Sequence, residues 1–365
     1  MLLMGLVTTT IHFTANTVCV HQPQTQTLFQ RFGHFSTLCN SLGFLCSKSN
    51  YLLLSSSTHP SWGTRLKSPP LSLSLSLMAT HLHVSEGAPN EKLEPSSSLA
   101  LGEHDLLIVG PGVLGRLVAE EWRKEYPACQ VFGQTVTTDH HEELIKMGIH
   151  PSLKWTKDMH KFPYVIFCAP PYKSSDYPGD VRQAALCWNG EGSFLFTSSS
   201  APYDCNDNGL CDEDTPVVPI GRSPRTDVLL KAENVVLEFG GSVVRLSGLY
   251  KEDQGAHAYW LEKGIVESRP DHILNLIHYE DAASLSVAIL KKKFRGRIFL
   301  GCDNHPLSRQ EVMDLVNKSG KFSKKFEKFT GTDDPLGKRL NNSKTRQEIG
   351  WEPKYSSFAH FLETI

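Results

Sequence analysis

The first 85 residues of this 365-residue chain contain neither aspartate nor glutamate; the first acid is Glu86. Four strong bases, Arg31, Lys48, Arg65 and Lys67, give that stretch +4, and serine and threonine crowd it, as in Ser55-Ser56-Ser57-Thr58 and the Leu-Ser run from Leu71 to Leu77. The compact apolar block and small-residue cleavage site of a secretory signal are missing, because the apolar residues are scattered. An acid-free, weakly basic, serine-rich N terminus has the composition of an organelle transit peptide, and the scarcity of arginine favours chloroplast over mitochondrion. A disordered tail without an address has the same composition. A start at Met78 would remove most of the leader and leave the protein in the cytosol.

Other absences narrow the class. No run of eighteen apolar residues occurs, so no membrane-spanning helix is expected. Of nine cysteines, Cys19, Cys39 and Cys46 fall in the leader, and Cys129, Cys168, Cys187, Cys205, Cys211 and Cys302 are dispersed beyond it without a Cys-x-x-Cys. That spacing indicates neither a disulfide framework nor a zinc site. The net charge of −2 leaves −6 on residues 86–365 once the leader is set aside, which argues against nucleic acid as a partner.

What is present is a strand-turn-helix signature. The apolar run Leu106-Leu107-Ile108-Val109 ends in Gly110-Pro111-Gly112-Val113-Leu114-Gly115, and Val113 to Tyr126 carries Leu114, Leu117, Val118 and Trp122 on one helical face. A Gly-x-Gly-x-x-Gly turn in that setting binds dinucleotides. Gly110 permits the tight turn, Gly112 leaves room for a pyrophosphate, and Gly115 lets the helix close on the strand. The helix N terminus offers N–H groups to the phosphates. Pro111, Val113 and Leu114 complete the turn; Gln134 and Thr135, ending the second strand, and Ala169-Pro170, ending a later one, are further cofactor-binding candidates.

After a polar linker, 86–104, continuous apolar strands alternate with helices. Strands are expected at Cys129–Gly133, Tyr164–Cys168, Ser193–Thr197 and Ser242–Leu246, with helices at Glu142–Met147, Asp180–Trp188 and Thr226–Phe239. This predicts an α/β, doubly wound parallel sheet covered on both faces, a Rossmann unit over 105–250. Residues 251–365 are more mixed, with strands at Ile273–Ile277 and Arg297–Leu300 and helices at Asp281–Leu290 and Arg309–Val316. They are expected to form a smaller substrate lobe and complete the core.

A carboxylate ending the second strand would favour NAD, and an arginine NADP. Gly133-Gln134-Thr135-Val136-Thr137-Thr138 offers neither; with no carboxylate to repel a 2′-phosphate, NADP is favoured over NAD.

Together with the glycine turn, four later segments resemble the extended and atypical short-chain dehydrogenase/reductases, relatives of nucleotide-sugar epimerases and dehydratases. They are Phe196-Thr197-Ser198-Ser199-Ser200-Ala201-Pro202-Tyr203, Arg245-Leu246-Ser247-Gly248-Leu249-Tyr250, Asn275-Leu276-Ile277-His278-Tyr279-Glu280-Asp281-Ala282-Ala283, and Leu340–Lys344 followed by Glu348–Tyr355. The resemblance spans residues 105–362 and implies a C-terminal substrate lobe over the strand ends. It also implies a Ser, a Tyr and a Lys that move a proton while hydride passes to or from nicotinamide. Ser199 fits the serine position, with Ser200 as the near alternative; a strand-end hydroxyl bonding backbone is the competing reading. On the helix that should carry the Tyr-x-x-x-Lys, Arg225 and Leu229 stand in those places, eight and four residues before Glu233. A Tyr259-x-x-x-Lys263 occurs later, out of family order, where packing is the alternative role. Two functions therefore follow: a plastid NAD(P)-dependent oxidoreductase or epimerase-like enzyme on a small, nucleotide-sugar-like substrate, or a catalytically silent dinucleotide-binding sensor or scaffold. No metal site is expected: Asp204–Thr215 imitates a calcium loop but ends in Thr215 rather than glutamate.

Overall fold

The structure, a computed structural model, describes residues 101–154 and 160–365. The leader and all but the end of the linker lie outside the described residues. That end is packed: the His104 ring stacks on Tyr126 at 4.0 Å, and its carbonyl accepts from the Trp122 indole.

Seven parallel strands form the central sheet. β1 (Leu106–Val109), β2 (Val131–Thr135), β3 (Ile149–Leu153), β4 (Phe162–Phe167) and β5 (Trp188–Ser199) are joined by a sixth core strand, Ser242–Leu246, and a seventh, Ile298–Gly301. Their order across the sheet is seventh, sixth, β5, β4, β1, β2, β3, and every pairing is parallel. The order reverses between β1 and β4, the switch point where a crevice opens at the strand carboxyl ends.

Side-chain alternation sorts the core into two layers. Leu106 and Ile108 of β1 pack with α1 (Val113–Glu125) and α6 (Tyr279–Lys292); Leu107 and Val109 pack with α3 (Tyr177–Leu186) and α4 (Pro224–Glu238). The α1 face is therefore covered by a helix from the C-terminal segment. β3, with Pro151 inside it, was not expected as a strand; it lies at the sheet edge, where proline is tolerated.

The lobe has its own apolar cluster, including Trp260, Met313, Phe326 and Phe358. Its largest sheet runs Leu307–Ser308, Ile273–Leu274, Gly337–Leu340, Asp207–Cys211. Asp207–Cys211 is thus a strand paired with Gly337–Leu340, which corrects the loop expected there. The strand expected over 273–277 is two, Ile273–Leu274 and Leu276–His278, in different sheets. Asn275 divides them. Its side-chain amide donates to the Lys338 carbonyl and accepts from the Leu340 N–H, both 2.8 Å, while its own carbonyl accepts from Gly248 N. A side chain that imitates a peptide lets one residue serve both sheets.

Candidate functional site

The three glycines of the β1–α1 turn meet three different surroundings. Gly110 has φ +82°, and a Cβ there would lie 2.6 Å from the backbone of Ala169, so the turn abuts the exit of β4. Glycine is required on both counts. At Gly115 a Cβ would come within 2.9 Å of Ile108 Cγ2 and 3.1 Å of the Gly110 carbonyl, which is close helix–strand packing. At Gly112 a Cβ would meet nothing within 4 Å. Protein packing therefore explains two of the glycines and leaves the third for something the protein does not supply.

α1 starts beside that open space without a side-chain cap and with no acid in its first turn. Its leading N–H groups and positive dipole end suit a phosphate. Leu114 is buried in the core, Val113 packs partly against it, and the Ala169 carbonyl before Pro170 accepts from the Tyr177 hydroxyl at 2.8 Å. At the end of β2 the Gln134 side chain is buried, yet its Oε1 has no hydrogen-bond partner. Thr135 is already engaged: its hydroxyl is 2.7 Å from His141 Nε2 and donates to the Ser152 carbonyl. The void at Gly112 and the orphaned Gln134 oxygen are the two observations that fit a dinucleotide.

Where proton transfer would be expected, the structure places a locked core network instead. Ser198, not Ser199, is buried; its hydroxyl donates to Glu233 Oε1 at 2.5 Å. Arg245 Nη2 donates to Glu233 Oε2 at 2.7 Å, and its Nε reaches both carboxylate oxygens. Burial opposes the charge of Arg245, but hydrogen bonds to Glu233 outweigh it and raise the guanidinium pKa. That guanidinium also lies 4.7 Å from the centre of the Tyr203 ring. Burial pushes the Tyr203 phenol up to about 12 in spite of Arg245. Ser199 Oγ accepts from the Ala201 N–H at 3.2 Å, the backbone-bonding role. On α4, Leu229 is buried in the core and Arg225 is exposed. Tyr259 and Lys263 lie on α5 (Ala256–Lys263), which packs within the lobe on α7 (Arg309–Ser319), with Lys263 Nζ 5.7 Å from the Tyr259 ring centre.

Two features were hidden from sequence reading. Lys338 reaches from the lobe to the serine turn, donating to the Tyr203 carbonyl at 2.6 Å and the Ser200 carbonyl at 3.3 Å. Arg116 reaches from α1 to Glu143 on α2 (His141–Lys146), with Nη1 and Nη2 donating to the two carboxylate oxygens at 2.5 and 3.0 Å. Both pair residues far apart in the chain, so no local motif announces them. Two polar side chains of the lobe are held by contacts within it. Arg269 pairs with Asp271 and donates to the Asp334 carbonyl, and His272 Nδ1 lies 2.6 Å from the Pro335 carbonyl. Among the described residues no group of His, Cys, Asp and Glu is arranged to hold a metal, and no helix is long and apolar enough to cross a membrane.

No family model matches the sequence, and no curated protein matches it. Solved structures do. A protein of unknown function from Silicibacter pomeroyi is 20% identical, with TM-score 0.58, over 71% of this chain and 97% of its own. The dTDP-glucose 4,6-dehydratase of Bacillus anthracis, solved with NAD, is 14% identical, with TM-score 0.59, over 73% and 95%. The UDP-glucose 4-epimerase of Thermotoga maritima, solved with UDP-glucose, is 15% identical, with TM-score 0.58, over 71% and 96%. At such identities the likeness establishes the fold: the Rossmann architecture with a C-terminal lobe found in nucleotide-sugar epimerases and dehydratases.

Proposed function

We propose that this chain binds a nicotinamide dinucleotide, NADP in preference to NAD, and acts as an oxidoreductase or epimerase-like enzyme on a small, nucleotide-sugar-like substrate. The observation that carries the dinucleotide is Gly112, a glycine that packing does not require, at an uncapped helix N terminus. Gly110, Gly112 and the leading amides of α1 would hold the pyrophosphate, and Gln134 the adenosine side. When bound, the dinucleotide supplies hydride chemistry. The similarity to NAD-bound and UDP-glucose-bound structures supports the substrate class. The composition of residues 1–85 supports a chloroplast address, which a fluorescent fusion of that leader in leaf cells would test.

A second reading, a silent dinucleotide-binding sensor or scaffold, is favoured by Leu229 and Arg225 in place of the proton-transfer pair and by the buried Tyr203. Titration of the purified chain with NADPH and NADH, followed by structure determination of the complex, separates the two. Binding by neither at millimolar concentration rejects both. Binding with no ionisable side chain in reach of a substrate at nicotinamide C4 selects the silent protein.

A further inference from the structure

The guanidinium of Arg116 occupies a particular place. Arg116 follows Gly115 directly, and its Nε donates to the Pro111 carbonyl inside the glycine turn at 3.2 Å. Its fork crosses to Glu143 on α2, and its side chain is 22% exposed. α2 is fixed to the end of β2 by the contact of His141 with Thr135 and by the buried Leu144. Arg116 therefore bridges the glycine turn and the β2–α2 corner, the two walls between which a Rossmann fold seats the adenosine ribose. The segment Gly133–Thr138 carries no acid, and Asp139 accepts from Thr137 at 3.0 Å. Glu143 is the carboxylate paired with the arginine, and its neighbour His140 lies 3.5 Å from it.

We propose that Arg116 reads the adenosine 2′-phosphate of NADP and that Glu143 holds its fork in position when no phosphate is bound. This rests on the dinucleotide reading above. Two parallel N–H donors fit a phosphate as well as a carboxylate. Glu143 is half exposed, so releasing it to water costs little. The Nε bond to Pro111 keeps the guanidinium over the turn while its partner changes. Glu143 thereby competes with the 2′-phosphate, and the two residues have opposite effects on cofactor affinity.

The test titrates the full chain, wild type and variants, with NADPH, NADH, 2′,5′-ADP and 5′-AMP, with melting curves for folding. Wild type binds NADPH more tightly than NADH, and 2′,5′-ADP more tightly than 5′-AMP. Arg116→Gln weakens NADPH by about tenfold to a hundredfold, the scale of a lost charge-assisted pair, and leaves NADH within about twofold. Arg116→Lys, which keeps the charge and loses the fork, falls between. Glu143→Gln tightens NADPH several-fold. Equal binding of both cofactors by wild type, a parallel loss of both in Arg116→Gln, or weakened NADH in Glu143→Gln overturns the role of Arg116 while leaving the dinucleotide site standing. Failure of all four ligands to bind wild type removes the site itself.

Discussion

At the scale of single residues, the glycine turn makes opposite demands at positions two residues apart. Gly110→Ala places a methyl group against the Ala169 backbone at a left-handed φ, and we expect a loss of at least about 2 kcal/mol in urea unfolding. Gly112→Asp faces open space and supplies the helix with a good N-cap, so stability should hold or rise by up to about 1 kcal/mol. The same carboxylate meets the pyrophosphate, and NADPH affinity should fall by at least about a hundredfold. A destabilised Gly112→Asp, or one that still binds, would sink the division of roles. At Glu233, removal of the carboxylate strands the Arg245 guanidinium in the core. Glu233→Ala should cost about 3–5 kcal/mol by denaturant titration; a loss below about 1 kcal/mol would show that the network is not structural. The roles of the glycines were legible from spacing alone. That Ser198 rather than Ser199 is the serine bonded to Glu233 was not, since the choice turns on which side of β5 faces α4.

At the scale of elements, the carboxyls of Asp281 and Asp303 are buried. Asp281 on α6 accepts the backbone N–H groups of Lys354 and Tyr355, so two of the segments that carry the family resemblance are physically tied. Burial raises its pKa to about 6. Asp303, just after the seventh strand, accepts from His305 N through Oδ1, and its Oδ2 has no partner. Burial raises it to about 7. A carboxyl raised in the folded state gives most stability below its unfolded pKa near 4, and that contribution is lost as pH climbs through about 7. Asp303→Asn keeps the His305 acceptor and removes the titration. Relative to wild type it should gain up to about 3 kcal/mol between pH 5 and pH 8, read from urea midpoints. An equal shift at both pH values would refute the assignment. The Lys338 contact belongs to the same scale. Lys338→Met should speed amide exchange at Asp204 and Val218, whose N–H groups bond the Pro216 and Pro202 carbonyls beside the turn, and should leave the glycine turn unaffected. Unchanged exchange there would mean that the lysine does not hold the turn.

At the scale of the whole molecule, the parallel sheet and its two helical layers follow from the alternation of apolar strands and amphipathic helices, and most strand positions are readable within a few residues. The lobe is less so. Strands of two to five residues, such as Ile273–Leu274, Lys328–Phe329 and Asp207–Cys211, carry too few side chains for a period, and their pairing is decided by partners more than thirty residues away. The charged contacts of the candidate site were illegible for the same reason: Arg116 with Glu143 and Lys338 with Tyr203 are products of the fold.

The covering of the α1 layer by α6 also bears on how the chain is made. When the sixth core strand has emerged from the ribosome, Leu106, Ile108, Val118 and Trp122 still lack the helix that shields them, and that helix ends only at Lys292. The nascent protein thus passes through an interval in which the nucleotide-binding half is synthesised but one side of it is bare apolar surface, the condition that invites aggregation or chaperone capture. Residues 105–250 released alone should remain in that condition, and a chain cut after Tyr250 should be recovered as an insoluble or chaperone-bound product.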